Sequence, residues 1–141
     1  MSAFQSLLEN KIAVLDAVEA GASVAGFRDP VVGPTDYAAI EYPYIEVLPV
    51  STDDQGGNEY SHTVAVNLLF ERDRDTEYTT AIREVLLPVV TGAIAELGDV
   101  DCVVTYRPQS IEDFVGENAG TLLYGITVRF SVTTLVDLAE S

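Results

Sequence analysis

The stretch from Tyr60 to Glu71 reads YSHTVAVNLLFE, and its apolar and polar side chains alternate along twelve positions. This period of two is typical of a β-strand, because successive side chains point to opposite faces of a sheet. We expect a core face with Tyr60, His62, Val64, Val66, Leu68 and Phe70, and an outward face with Ser61, Thr63, Ala65, Asn67, Leu69 and Glu71. A chain that contains such a strand has to build a sheet around it, because the backbone groups of a strand need partners.

Three further segments are predicted to be strands. Residues 121–132 alternate in the same way, and residues 101–107 (DCVVTYR) form a shorter run of strand-forming residues. Residues 41–50 (EYPYIEVLPV) have Pro43 and Pro49 near their ends, which favours an edge strand because proline cannot donate to a neighbouring strand. The polar run Ser51 to Glu59 is predicted to be a long hairpin loop, and Pro108 to Gly120 a second long loop.

Two segments have helical periodicity. Residues 3–20 place Phe4, Leu7, Leu8, Ile12, Leu15 and Val18 at helical spacing, after a Ser2 and Gln5 capping box and before Gly21 as a natural stop. The next twenty residues are predicted to be an irregular connection. The second helix is predicted to run from an N-cap at Asp75 to Leu97, with Gly98 as its C-cap and a kink at Pro88. The charge run 72–78 (RDRDTEY) is then a strand-to-helix junction.

These elements predict one α+β domain over residues 1–141. Its order is α-β-β-α-β-β, and it contains a four-stranded, largely antiparallel sheet with two packed helices. Each strand and helix has an apolar side that must be buried, so both helices are expected against the sheet. The core residues predicted from the two alternating strands are Val64, Val66, Leu68, Ile126, Val128 and Phe130.

The chain is strongly acidic. It has 23 Asp and Glu against 7 Lys and Arg, for a formal charge of -16, and Lys11 is its only lysine. Such a surface repels nucleic-acid phosphates and anionic lipids, so a binding role based on a basic patch is disfavoured. Acidity with almost no lysine is also typical of proteins from organisms with molar salt in the cytoplasm, where the Debye length falls to about 3 Å. An ordinary acidic protein is the alternative.

No motif predicts catalysis or a cofactor. His62, the only histidine, lies on the apolar strand face without a recognisable nucleophile motif, so we interpret it as a packing residue. Cys102 stands alone, which excludes an intrachain disulfide, and is expected to be a buried thiol within a strand. The acidic groups between Ser51 and Glu59 do not match a calcium-loop spacing, and there is no Cys and His cluster for zinc. Neither a secretory signal nor a bilayer-spanning segment is predicted.

In the order of its predicted elements and in the residue patterns within them, the chain resembles the tail terminator, or tail-completion, proteins of long-tailed bacterial and archaeal viruses. The resemblance rests on the leading helix, the proline-marked YPYIEVLP strand, and the HTVAVNLLFERDRDTEY strand that runs into a helix. It continues through VVTYRPQSIEDF and TLLYGITVRFSV, so it covers nearly the whole chain. It contains no diagnostic motif and no catalytic residues to transfer.

The resemblance implies a structural virion protein without enzymatic activity or cofactors. Members of that family form a ring, typically of six copies, that caps the tail tube and meets the neck below the capsid. The implied partners are further copies of the chain, a tail tube protein, and a neck or head-completion protein. DNA would pass through without specific binding, and no membrane is involved. The implied location is the tail or neck of the virion, assembled in the host cytoplasm, and the acidity points to a virus of a salt-loving archaeon.

A ring subunit needs loops that become ordered against its neighbours, and the two long polar segments are the candidates. The expected assembly-interface residues are Asp53, Asp54, Asn58, Glu59, Gln109, Glu112, Asp113 and Phe114. Two rival hypotheses stay open. One is a small, acidic α+β protein-binding domain of a halophile, monomeric or dimeric and without activity. The other is a small enzyme with a site that the sequence does not reveal.

Overall fold

The computed structural model describes residues 2–22, 31–32, 44–71, 82–118 and 120–136. Helix α1 (Ala3–Gly21) comes first, followed by strands β1 (Val31–Val32), β2 (Tyr44–Gly56) and β3 (Glu59–Glu71). A π-helical turn (Ile82–Leu86) leads into helix α2 (Leu87–Gly98), and the strands β4 (Val103–Asn118) and β5 (Thr121–Leu135) follow. The predicted α+β class and the α-β-β-α-β-β order of the main elements are confirmed.

The strands form one sheet in the order β1-β2-β3-β5-β4. The four long strands are antiparallel, and the interior pair β3 and β5 is in register from Glu59 opposite Leu135 to Glu71 opposite Leu123. The two-residue β1 adds a parallel partner at Glu46 and Val47 of β2. The sequence did not predict β1, which lies in the segment expected to be an irregular connection. Apart from these two positions, β2 is the edge strand that its prolines predicted, within the part of the chain that the structure describes.

Both predicted loops are wrong. Residues 51–56 continue β2, and only Gly57 and Asn58 form the turn before β3. Residues 108–118 continue β4, which pairs with β5 up to Asn118 opposite Thr121. Polar composition suggested loops, but strand pairing satisfies the backbone of these segments whatever their side chains. The tight turn is possible because Gly56, Gly57 and Asn58 all have positive φ, which glycine and asparagine adopt more readily than other residues.

The helix boundaries agree with the sequence at α1 and differ at α2. Ser2 and Gln5 form the predicted capping box, and α1 ends at Gly21. Pro88 lies in the first turn of α2, directly after the π-helical turn, so the helical hydrogen-bond pattern changes next to this proline. A proline is tolerated there because the first-turn N–H groups have no helical acceptor. The predicted junction 72–78, with its N-cap at Asp75, lies outside the described residues.

The core lies between the two helices and one face of the sheet. All six predicted core residues are buried, and they form one cluster with Val14 and Val18 of α1 and with Val89, Ala93 and Leu97 of α2. Glycines let the helices approach closely: a Cβ added to Gly92 of α2 would collide with the carbonyl oxygen of Gly21 in α1. The face predicted to be the core side of β3 is therefore the side that the helices cover.

The predicted outward face of β3 is only partly outward. Ala65, Asn67 and Leu69 are buried, although they point away from the core cluster. Because β3 has long neighbours on both sides, side chains of β2 and β5 lie beside these three. Asn67 donates to Glu46 Oε1 at 2.9 Å and accepts from Thr127 Oγ1 at 2.7 Å, which makes a buried polar row across three strands. Alternation predicted the strand and its core face correctly, but it did not predict that part of the other face would also be buried.

Candidate assembly surface

Strand β4 is exposed along most of its length. It forms the edge of the sheet and pairs only with β5 among the described strands. From Val104 to Val115 every residue is exposed except Ser110, which is half-buried. A long edge strand with apolar side chains is a template for pairing with another chain, and soluble proteins usually protect it. This strand is therefore the surface of the described chain that most needs a covering partner.

The apolar side chains of β4 lie on both of its faces. Ile111 pairs with Val128 and Val115 with Tyr124, so both point to the side of the sheet that holds the helices. Their exposed fractions are 68% and 61%, so neither helix covers them. Phe114 points to the opposite face, where its ring lies over Gly125 and occupies the space that a side chain would fill. We call Ile111 and Val115 the β4 patch.

A second apolar surface lies on the outer side of α1. Phe4, Leu8 and Ile12 recur every four residues, which places them along one stripe of the helix. They are 68%, 45% and 52% exposed. The side of α1 that faces the sheet instead includes the buried polar residues Ser6 and Asn10. We call Phe4, Leu8 and Ile12 the α1 stripe. They were predicted to belong to the core side of the helix, and that prediction is wrong. They lie outside because Val14, Ala17 and Val18 determine which side of the helix faces the sheet.

The β4 patch and the α1 stripe lie over different parts of the sheet. Helix α1 packs chiefly against α2 and against β1, β2 and β3, whereas α2 lies between α1 and β4. Because β4 forms the far edge of the sheet, the β4 patch lies away from the part of the sheet that α1 covers. One chain thus has two separate exposed apolar surfaces.

The first group of predicted interface residues lies at the β2–β3 turn. Asp53 and Asp54 are in β2, Asn58 is in the turn, and Glu59 begins β3. Asp54 accepts from the backbone N–H of Gly56 at 2.7 Å, and Asp53 accepts from Ser51 Oγ at 3.2 Å. The carbonyl of Asn58 accepts from the N–H of Val136, which ties the residue after β5 to this turn. These groups stabilise the local turn, and their part in an interface remains a prediction.

The second group lies on β4. Gln109 sits where the β4–β5 register shifts, and Glu112, Asp113 and Phe114 follow it on the strand. Glu112 and Phe114 are opposite Thr127 and Gly125, whereas Glu59 of the first group is opposite Leu135. Eight residues of extended strand separate Leu135 from Thr127, about 27 Å. The structure therefore does not bring the two groups together, and only the second lies on the exposed strand.

His62 lies in a buried network that joins three strands to α1. Its Nε2 is 2.8 Å from Thr134 Oγ1 and its Nδ1 is 3.1 Å from Thr52 Oγ1. Asn10 Nδ2 of α1 donates to the Leu135 carbonyl at 2.9 Å and to Thr134 Oγ1 at 3.4 Å. Burial, with the charge of Lys11 as a smaller cause, lowers the pKa of His62. His62 is 2% exposed and Thr134 0%, so a substrate has no access to this pair.

Other candidate chemistry is sparse among the described residues. They contain no group of three or more His, Cys, Asp or Glu side chains placed to hold a metal ion. Cys102 is half-buried in the turn before β4 and not in a strand as predicted, and burial raises the pKa of its thiol. A higher pKa leaves less of the reactive thiolate at neutral pH. Within the same ranges, no helix combines the length and apolarity needed to cross a bilayer.

Sequence reasoning missed the α1 stripe and the β4 patch as surfaces. The stripe had a visible signal, since Phe4, Leu8 and Ile12 recur every four residues. Its interpretation failed because α1 has apolar residues on more than one side. The β4 patch had a weaker signal, because Ile111 and Val115 are separated by two acidic residues and Phe114 in a segment interpreted as a loop.

Of the comparisons with known proteins, the one with solved structures found matches. No protein-family model matches the chain. No curated protein matches it either. Among solved structures, the chain is similar to a chain of the virion of a native gene transfer agent particle, with 13% sequence identity and a TM-score of 0.44. The match covers 94% of this chain and 92% of the other. A similarity of this size does not establish a shared function.

Proposed function

We propose that the protein is a structural subunit of a virion, which assembles into a ring that caps the tail tube and joins it to the neck. The observation on which the proposal rests is the exposure of β4. Among the described strands β4 pairs on one side only, and a strand of this kind with exposed apolar residues on both faces fits a subunit whose neighbours cover it. The sequence resemblance to tail terminator proteins is the reason for proposing that this assembly lies at the end of the tail tube.

The electrostatics support a ring through which DNA passes. With a formal charge of -16, each copy repels phosphates, so a channel lined by such subunits would not hold DNA through specific contacts. The partners in this proposal are further copies of the chain, a tail tube protein and a neck protein. The number of copies, six, is what the resemblance to the family implies. The chain has no enzymatic role in it, which agrees with the inaccessible His62 network.

Imaging the purified chain tests the ring. The protein should be prepared in molar salt, which screens its charge, and examined by negative-stain electron microscopy and sedimentation. We expect closed rings with a mass near six copies. A chain that stays monomeric at every concentration would overturn the ring and would favour the small protein-binding domain instead.

The position in the virion needs a second measurement. An antibody against the chain, applied to purified virions, should label one site per particle at the junction of tail and capsid. Label along the whole tail, or on the capsid surface, would contradict the proposed tail-end role even if the purified chain forms rings.

A further inference from the structure

We propose that copies of this chain join head to tail, with the α1 stripe of one copy packed on the β4 patch of the next. This inference rests on the proposed self-assembly and identifies the surfaces that carry it. The occupant of the β4 patch is thus a second copy of the same chain, and the occupant of the α1 stripe is a third.

The placement of the two surfaces favours this arrangement. A contact between two different patches is heterologous, and it leaves one patch of each kind free for the next copy. Because α1 packs over β1, β2 and β3 while the β4 patch lies at the far edge of the sheet, the two surfaces are separate, and the same contact can repeat until the chain of copies closes. A contact of like with like, such as β4 against β4, would stop at a dimer and leave the α1 stripe exposed.

The two surfaces also match in kind and size. The β4 patch faces the side of the sheet on which α1 and α2 already pack, so a helix from a neighbour would extend an existing helical layer over the last strand. From Phe4 to Ile12 the helix rises about 12 Å. From Ile111 to Val115 the strand rises about 13 Å. The helix stripe and the strand segment are therefore of equal length, and Asp113 lies between the two apolar residues on the same face of the strand.

Charges around the two surfaces are complementary on one flank. Lys11 lies beside the α1 stripe, and it is the only lysine in the chain. The exposed acidic residues Asp113 and Glu117 lie on the same face of β4 as the patch, with Asp113 between its two residues. Glu9 and Asp16 lie on the other flank of α1, where they would have to point away from β4 of the neighbour. A docking orientation that places Lys11 toward these carboxylates satisfies both conditions.

The test is complementation between two variants in molar salt. Leu8→Asp damages the α1 stripe and leaves the β4 patch intact, and Ile111→Asp does the reverse. Each variant alone should be monomeric by sedimentation at concentrations where the original chain forms rings. An equimolar mixture should form a one-to-one dimer, because one intact patch of each kind remains, and it should go no further.

Controls separate this effect from damage to the fold. Val50→Asp changes an apolar residue of similar exposure, 47%, outside both surfaces, and it should leave assembly unchanged. Thermal unfolding should show that all variants fold, since each change is at an exposed position. If Leu8→Asp or Ile111→Asp does not fold, Phe4→Asp and Val115→Asp form the second pair for the same mixing experiment.

Each outcome decides between the proposals. Rings from Ile111→Asp alone, or a mixture that stays monomeric while the original chain forms rings, would overturn the head-to-tail contact and leave the ring itself standing. A dimeric mixture combined with virion label away from the tail end would support the contact and contradict the proposed place in the virion. A monomeric original chain would overturn both the contact and the ring.

Discussion

At the scale of single residues, the His62 network explains why the only histidine of the chain is buried. Its Nε2 lies beside Thr134 Oγ1, which also accepts from Asn10, and its Nδ1 lies beside Thr52 Oγ1. Each ring nitrogen therefore has a hydroxyl partner. In the neutral imidazole one ring nitrogen donates and the other accepts, and a hydroxyl group can do either. Protonation would turn both ring nitrogens into donors, so the hydroxyl that donates to the ring would lose its acceptor.

The network predicts a pH dependence of stability. The unfolded chain binds a proton at His62 near pH 6.5, whereas the folded chain binds it only at lower pH, because burial lowers the pKa. Protons therefore favour the unfolded state, and the contribution of neutral His62 is complete above about pH 6.5 and is lost as the pH falls through the folded pKa. Urea unfolding of the original chain and of His62→Gln between pH 8 and pH 5 measures it.

The comparison with His62→Gln removes the effect of the many carboxylates, which both proteins share. We expect the original chain to be more stable by about 1 to 3 kcal/mol at pH 8, because the substitution disturbs buried hydrogen bonds. This difference should shrink toward pH 5. A difference that is constant with pH, or that grows in acid, would show that His62 does not titrate as its surroundings indicate.

At the scale of elements, the close contact between α1 and α2 depends on two glycines. Gly92→Ala would place a methyl group against the backbone carbonyl of Gly21, which cannot move without moving the helix. We expect the free energy of unfolding to fall by at least about 2 kcal/mol, as is usual when a packed contact is overfilled. Chemical denaturation measures the change.

Gly98→Ala is the matched control for this substitution. It is in the same helix, but its added methyl would meet the hydroxyl end of the Tyr106 side chain, at 3.1 Å, and this side chain can move. The control should therefore change stability by less than about 1 kcal/mol. Equal losses in the two variants would indicate that the crossing of the helices does not determine the effect.

At the scale of the whole molecule, the charge of the chain acts against its own assembly. Each added copy brings sixteen further negative charges to a ring. At about 0.1 M salt the Debye length is about 10 Å, so neighbouring copies repel each other across their contacts. We expect the assembled fraction to fall as salt is lowered from molar to dilute concentration at fixed protein concentration, which sedimentation measures. A ring that strengthens in dilute salt would contradict this electrostatic account.

The sequence by itself determined the class and order of the fold. Alternation along β3 and β5 predicted two strands and six core residues correctly, because a period of two reports directly on a sheet face. The capping box at Ser2 and the stop at Gly21 are local signals, and they placed the ends of α1 correctly. Such features depend on neighbours in the chain, so reading along the chain is sufficient to find them.

Only the tertiary structure decided which apolar residues stay outside. Strand pairing extends through the polar segments 51–56 and 108–118 because their partners are in other strands, so local composition could not predict it. Phe4, Leu8 and Ile12 face outward because packing of Val14, Ala17 and Val18 fixed the rotation of α1. Ile111 and Val115 remain exposed because β4 is the last strand and the two helices do not extend over this part of it. Burial depends on contacts between distant segments, and therefore the candidate assembly surfaces became visible only in the folded chain.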